Sequence, residues 1–160
     1  MTRVRVRPMT CKVRKIEGRD ERRWRELFEA YTRFYEREPS DAITGQAWAR
    51  IMDATIPIYA IVAAGEDQDD VIGIANYVIH ESTSTRTPVC YLQDLFVDPG
   101  KRGVGVGRLL IDWLVAEMAA AGWSRLYWHT RENNYRARRL YDKYAPHSGF
   151  VRYVIVNPRA

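Results

Sequence analysis

The chain has 160 residues, 46% hydrophobic and 28% charged, with a net charge of +5 from 25 Lys and Arg against 20 Asp and Glu. That length suits one domain, 1–160, with a core of its own, and the composition excludes a disordered chain and a membrane span of roughly 20 apolar residues. Without a signal-like start, and with Cys11 and Cys90 too far apart for a zinc or Cys-x-x-Cys site, the expectation is a cytoplasmic protein with no metal.

Residues 3–7 alternate Arg with Val, which reads as a strand, an arm on a nucleic acid or a weakly ordered terminus. A short opening strand is predicted at 13–16. Asp20 stands where a helix N-cap belongs, and Trp24, Leu27, Phe28, Tyr31, Phe34 and Tyr35 follow at steps of three and four, ended by Pro39. A second helix starts near 40–44 and carries Ile43, Trp48, Ile51 and Met52. The apolar runs 58–64 and 71–79 read as a hairpin of strands. A third strand, 89–97, is closed by Asp98-Pro99-Gly100. An apolar stripe from Val106 to Ala121 then marks a helix that Gly122 ends. A short strand at 125–130, a helix capped at Asn133 or Asn134 and a last strand at 150–156 complete the order β-α-α-β-β-β-α-β-α-β. Antiparallel hairpins followed by one β-α-β crossover predict an α/β domain with a mixed, mostly antiparallel sheet and a parallel pair.

The turn Arg102-Gly103-Val104-Gly105-Val106-Gly107 links the third long strand to the stripe-bearing helix. Alternate glycines at such a junction let the main chain approach a ligand and point N–H groups outward. With the positive end of the helix, and with Lys101, Arg102 and Arg108 around it, the turn makes an anion cradle. It is neither a Walker loop nor a dinucleotide fingerprint, since both fail on spacing.

Arg102-x-x-Gly105-x-Gly107 is similar to the Arg/Gln-x-x-Gly-x-Gly/Ala signature of the GCN5-related N-acetyltransferase (GNAT) superfamily. Asn134-x-x-Ala137-x-x-Leu140-Tyr141 resembles the same family's Asn…Ala…Leu-Tyr helix, and Tyr91 to Pro99 resembles its central strand, closest in flavour to the diamine and histone-type branch. The resemblance is specific over residues 91–144 and implies a GNAT-like sheet with a splayed parallel central pair and helices on both faces.

It also implies acetyl-CoA as cofactor. The backbone of Leu95, Phe96 and Val97 would pair with the pantetheine arm, and Arg102, Gly103, Val104, Gly105, Val106, Gly107 and Arg108 would take the pyrophosphate. Asn134 and Ala137 would border the pantetheine, with a plain helix cap as the alternative role of Asn134. Tyr141 falls on the position of the general acid that protonates the departing thiolate. Where the diamine branch has a Glu-Asp pair, this chain has Gln93-Asp94. Asp94 is the candidate base, with a structural carboxylate an equal alternative, because adjacent strand residues face opposite ways unless a bulge intervenes. His129 is a second candidate near the acceptor, and Tyr31 and Tyr35 are candidate aromatic walls for a cationic amine.

The function implied is acetyl transfer to a primary amine, a polyamine-like or amino-sugar small molecule, with a homodimer as a candidate assembly. The alternatives are a coenzyme A-binding module without transfer and a protein-lysine or N-terminal acetyltransferase. Nucleic acid and membrane are not expected as partners.

Overall fold

The computed structural model describes residues 10–65 and 69–158, so the Arg/Val alternation lies outside the described residues. The chain divides into two compact units, residues 1–129 and 130–160.

The first unit holds a five-stranded sheet whose spatial order follows chain order: β1 (Lys12–Lys15), β2 (Ile58–Ala64), β3 (Val71–His80), β4 (Val89–Val97) and β5 (Leu126–Tyr127). The first four strands pair antiparallel, and β5 joins β4 in parallel. Helices α1 (Glu21–Phe34) and α2 (Asp41–Met52) separate β1 from β2, and α3 (Val106–Ala121) makes the crossover from β4 to β5. This is the mixed α/β sheet expected, with helices on both sides.

Burial follows the apolar runs. From Ile61 to Ala64 every residue of β2 is fully buried, as a strand covered on both faces must be. On one face Trp24 and Leu27 of α1 and Trp48 of α2 pack on Val62, Ile74 and Phe96. The Trp24 ring stacks on Phe28 at 4.8 Å and leans on Trp48 at 5.4 Å. Truncating a side chain so placed costs about 3–5 kcal/mol. On the other face α3 comes very close to β3: a Cβ at Gly73 would lie 3.0 Å from Val106 and 3.3 Å from Leu110. That glycine seats the first turn of α3 against the sheet.

Several expectations are corrected. Asp20 precedes α1 but does not cap it with its side chain. Its carboxylate accepts instead from Arg14 at 2.7 and 2.9 Å and from the Glu17 amide at 2.8 Å. Burial pushes this carboxyl up, but those donors outweigh it and hold it below its usual value. Ile43 belongs to α2 yet is 67% exposed; it sits in the first turn, where Ser40 accepts from its amide. The strand predicted at 125–130 shortens to Leu126–Tyr127, because only these two residues find partners on β4.

In the second unit α4 (Tyr135–Tyr141) is capped by Asn134, whose side chain accepts from the Ala137 amide. The strand predicted at 150–156 is not formed. Phe150, Tyr153 and Ile155 are more than 90% exposed. Strand-forming residues make a strand only where a neighbour pairs their amides and carbonyls.

Candidate active site

Two features of β4 build the site in the first unit. The first is a bulge. Asn76 pairs with Asp94, but its neighbour Tyr77 pairs with Leu92, so Gln93 is the extra residue. Paired residues share a face, and the slip therefore reverses the alternation along β4. Tyr91 and Asp94, three residues apart, come to the same face as Trp24, while Gln93 is exposed.

Asp94 is 8% exposed. Its Oδ2 accepts from Asn76 Nδ2 at 3.0 Å, and Asn76 Oδ1 accepts in turn from the Trp24 indole at 3.0 Å. The Tyr31 hydroxyl donates to the Gln93 carbonyl at 3.5 Å. Burial pushes the Asp94 carboxyl above its ordinary value, against the opposing effect of the Asn76 donor and the more distant Arg37. Burial, and then the Asp94 charge, push the Tyr31 phenol up as well. Tyr35 meets Tyr31 edge-on at 5.0 Å.

Along the same face runs an aromatic and histidine row. Tyr91 and Tyr127 stack at 5.1 Å across the β4–β5 pair. The Tyr127 hydroxyl lies 2.7 Å from His80 Nε2, and the Tyr91 hydroxyl 3.3 Å from His129 Nδ1. His129 is exposed and touches both tyrosine rings by its edge. His80, Tyr127 and Asn76 carry no motif of their own. Only strand pairing shows that they belong with Asp94.

The second feature is the end of β4. Pairing with β5 covers Cys90 and Tyr91 only, so Leu95, Phe96 and Val97 run on past it. Phe96 is buried, and Leu95 and Val97 are half-buried. The loop that follows is pinned at both ends. Asp98 accepts from the Gly100 amide at 2.9 Å and forms an ion pair with Arg23. Arg102 turns back, donating from Nε to the Val97 carbonyl at 3.0 Å, with its guanidinium over the Phe96 ring at 5.1 Å. Arg102 thus braces the loop against β4 rather than standing out beside it.

Gly103 and Gly105 have φ of 87° and 88°, a left-handed backbone natural only to glycine. Space beside both is open, with nothing within 4 Å of a Cβ built there. Gly105 is the N-cap of α3 and carries no side chain to cap it. Helix geometry leaves first-turn amides without intrahelical acceptors, so those at Val106 and Gly107 face the loop. Val106 is buried, Val104 is 60% exposed, and Arg108 lies 3.5 Å from Asp112. An open, basic-flanked cradle at a helix start fits a pyrophosphate, and a strand edge that β5 does not cover fits an extended amide-bearing arm.

In the second unit, Tyr141 is the last residue of α4. Asn134, besides capping the helix, donates to the Thr130 hydroxyl at 3.0 Å.

The family model described as the acetyltransferase (GNAT) family matches residues 21–145. The D-amino-acid N-acetyltransferase HPA3 of Saccharomyces cerevisiae is 32% identical over 133 residues, 83% of each chain. Two solved structures share the fold at lower identity. The aminoglycoside acetyltransferase AAC(6')-Iy, in complex with a CoA-containing bisubstrate analogue, has a TM-score of 0.78 at 18% identity, covering 92% of this chain and 99% of its own. A ribosomal-protein-alanine N-acetyltransferase from Brucella melitensis has a TM-score of 0.74 at 20% identity, covering 92% and 100%.

Proposed function

The chain belongs to the acetyltransferase (GNAT) family, and from that premise we propose that it moves an acetyl group from acetyl-CoA to the primary amine of a small molecule. The observation that carries this reading is the pair of left-handed glycines, Gly103 and Gly105, at the start of α3, in the loop after the end of β4 that its pairing with β5 does not reach. Acetyl-CoA supplies an activated thioester. The amides of residues 103–108 hold its pyrophosphate, and the backbone of Leu95 to Val97 aligns its arm, with the Val97 carbonyl already engaged by Arg102.

The acceptor lies along the face that carries Tyr91, Tyr127, His129 and Asp94. Aromatic faces and a carboxylate suit an ammonium group, whether of a free amino acid, as the name of the yeast relative suggests, a polyamine or an amino sugar. Asp94 serves the amine as base. Tyr141 donates a proton to the departing thiolate, and Asn134 and Ala137 border the arm, residues 1–160 working as one domain. The unbridged Cys11 and Cys90 suit a reducing cytoplasm.

Thiol release from acetyl-CoA, measured across D- and L-amino acids, polyamines and amino sugars with product masses, tests the reading. At least one amine gains 42 mass units (roughly, the mass of an added acetyl group by general chemistry) in step with thiol release. Coenzyme A binding without thiol release for any amine would leave a binding module instead.

A further inference from the structure

We propose that Tyr127 and His80 form a dyad that takes the first proton from the incoming amine, leaving the second to Asp94. The inference rests on the acetyl-transfer reading and assigns the start of its proton path. An amine arrives charged, and between ammonium and amide its nitrogen must shed two protons. Asp94 is almost closed to solvent, so a charged amine has little direct access to it on entry. Tyr127 and His80 are only half-buried. Tyr127 ends β5, at the last position that pairs with β4. Its side chain therefore starts where β4 runs on past β5, beside the edge proposed to align the cofactor's arm.

The bonds of the dyad have one direction. His80 Nδ1 lies 2.8 Å from the Glu81 carbonyl oxygen, which can only accept, so Nδ1 carries the proton of the neutral ring. Nε2 is then the acceptor, and the Tyr127 hydroxyl, 2.7 Å away, donates to it. A hydroxyl on a base whose other nitrogen is held by a third group is the arrangement that activates it. With its one proton given to His80, the phenol oxygen offers an ammonium its lone pairs. His80 stands on β3 and Tyr127 on β5, so the bond passes over β4, on the face that carries Tyr91 and Asp94. The titratable and charged groups facing the dyad, among the described residues, are Tyr91 stacked on Tyr127, His129 edge-on at 6.0 Å and the Arg125 guanidinium 5.8 Å from the Tyr127 ring, with Glu81 next to His80 in the chain. The ammonium proton passes to the Tyr127 oxygen while the Tyr127 proton passes to His80 Nε2. Tyr127 ends neutral, His80 ends as imidazolium, and the amine keeps the electron pair that attacks the thioester carbon. The second proton goes to Asp94 as the C–N bond forms and the C–S bond breaks. One of the two protons balances the one the thiolate takes up, and the other leaves to solvent. Tyr127 touches the substrate, and His80 acts through it.

The test compares Tyr127→Phe, which keeps the ring stack, and His80→Gln with wild type in kcat/KM against pH, using the best acceptor of the amine panel. Without the dyad only amine that is already neutral reacts. Both variants should lose about 10²-fold at neutral pH, and their kcat/KM should keep climbing towards the acceptor's own ammonium pKa, where wild type has already levelled off. The double variant should be no worse than the poorer single one, as for groups acting as a unit. Nitrogen NMR of protein carrying isotope-labelled histidine, with the His80 signals identified by their loss in His80→Gln, should show the neutral ring protonated on Nδ1. Tyr127→Phe should move the Nε2 signal. A neutral His80 protonated on Nε2 overturns the dyad, as does a folded Tyr127→Phe whose pH profile keeps the wild-type shape. Losses that multiply in the double variant do the same. In each of these cases wild type still releases thiol, and the acetyl-transfer reading stands. Wild-type protein that releases no thiol with any amine overturns that reading and the dyad's role with it, whatever the tautomer.

Discussion

Arg23, midway along the first half of α1, and Asp98, the residue that closes β4, form an ion pair that ties the helix to the loop before α3. Arg23 also donates from Nε to the Val71 carbonyl at 2.9 Å, at the start of β3. One guanidinium thus joins the helix, the neighbouring strand and the loop proposed to hold pyrophosphate.

Arg23→Gln should therefore weaken coenzyme A binding by about tenfold (a loss of roughly 1.4 kcal/mol), read by titration calorimetry. It should also lower Tm in a pH-dependent way. Asp98 is held below its usual value, first by the Gly100 amide and then, against some burial, by Arg23. A depressed carboxylate contributes stability above its unfolded pKa of about 3.9 and loses it as pH falls through the folded value. The Tm gap between wild type and Arg23→Gln should be present at neutral pH and should narrow below about pH 4. An equal gap at both pH values would show that the ion pair contributes nothing.

Coenzyme A should raise Tm through linkage of binding to folding, and Gly105 separates strain from charge. Gly105→Ala costs roughly 1–2 kcal/mol from its left-handed φ and should keep a reduced thermal shift. Gly105→Glu adds a carboxylate to the cradle and should abolish it. A full shift in folded Gly105→Glu would remove the pyrophosphate assignment.

For Asp94 the sign is opposite to that of Asp98. Its folded pKa is raised chiefly by burial, so its ionisation detracts from stability, fully so above the folded pKa and not at all below the unfolded one. The Tm of Asp94→Asn minus that of wild type should be more positive at pH ~8 than at pH ~4, while activity falls. A difference that does not change with pH would mean that the carboxyl is not strained by its site.

Tyr141→Phe should lower kcat by roughly 10–100-fold with coenzyme A affinity nearly unchanged, because the hydroxyl matters when sulfur departs. Stopped-flow and equilibrium binding on the same protein separate the two. Normal turnover would give the acid role to another group or to water.

The exposed apolar residues at 150–156 are the surface we expect a second copy to cover. Light scattering should find a dimer, and Ile155→Lys should shift it to monomer with the first unit intact. A wild-type monomer at high concentration would leave that segment without this role.

Local punctuation made much of this fold legible. Ile58–Ala64 and Val89–Val97 are the observed strands to the residue, because turn formers bound both runs. Gly122 ends α3 in the left-handed conformation its position suggests. The glycine turn was readable because alternate glycines carry their backbone freedom in their identity. What escaped was whatever depends on a partner strand. Asn76 lies unremarked in an apolar run, and its link to Asp94 exists only through the β3–β4 register. His80 gains context only from Tyr127, which is far away in sequence. Asp20 looks like a helix cap because its spacing to α1 is right, yet Arg14 on β1 claims its carboxylate. The segment at 150–156 has the residues of a strand but forms none with the described residues.

The shortness of the β4–β5 pairing has a consequence for breathing motions. Strands β1 to β4 each bond to the strand before or after them in sequence, and β3 meets β4 all the way from Gly73 to His80. The β1–β2 pairing closes over α1 and α2 with four paired positions, whereas the last pairing closes over α3 with two, Cys90 with Leu126 and Tyr91 with Tyr127. Closing it confines the whole intervening segment for little bonding in return, which makes it a late event in folding and an early one in opening. Amide hydrogens of β5 should exchange with solvent through local fraying, orders of magnitude ahead of those in β2 and β3, which report the global transition. The sheet is thus a rigid four-stranded plate with a loosely zipped fifth strand, and the zip ends where the cofactor is proposed to enter.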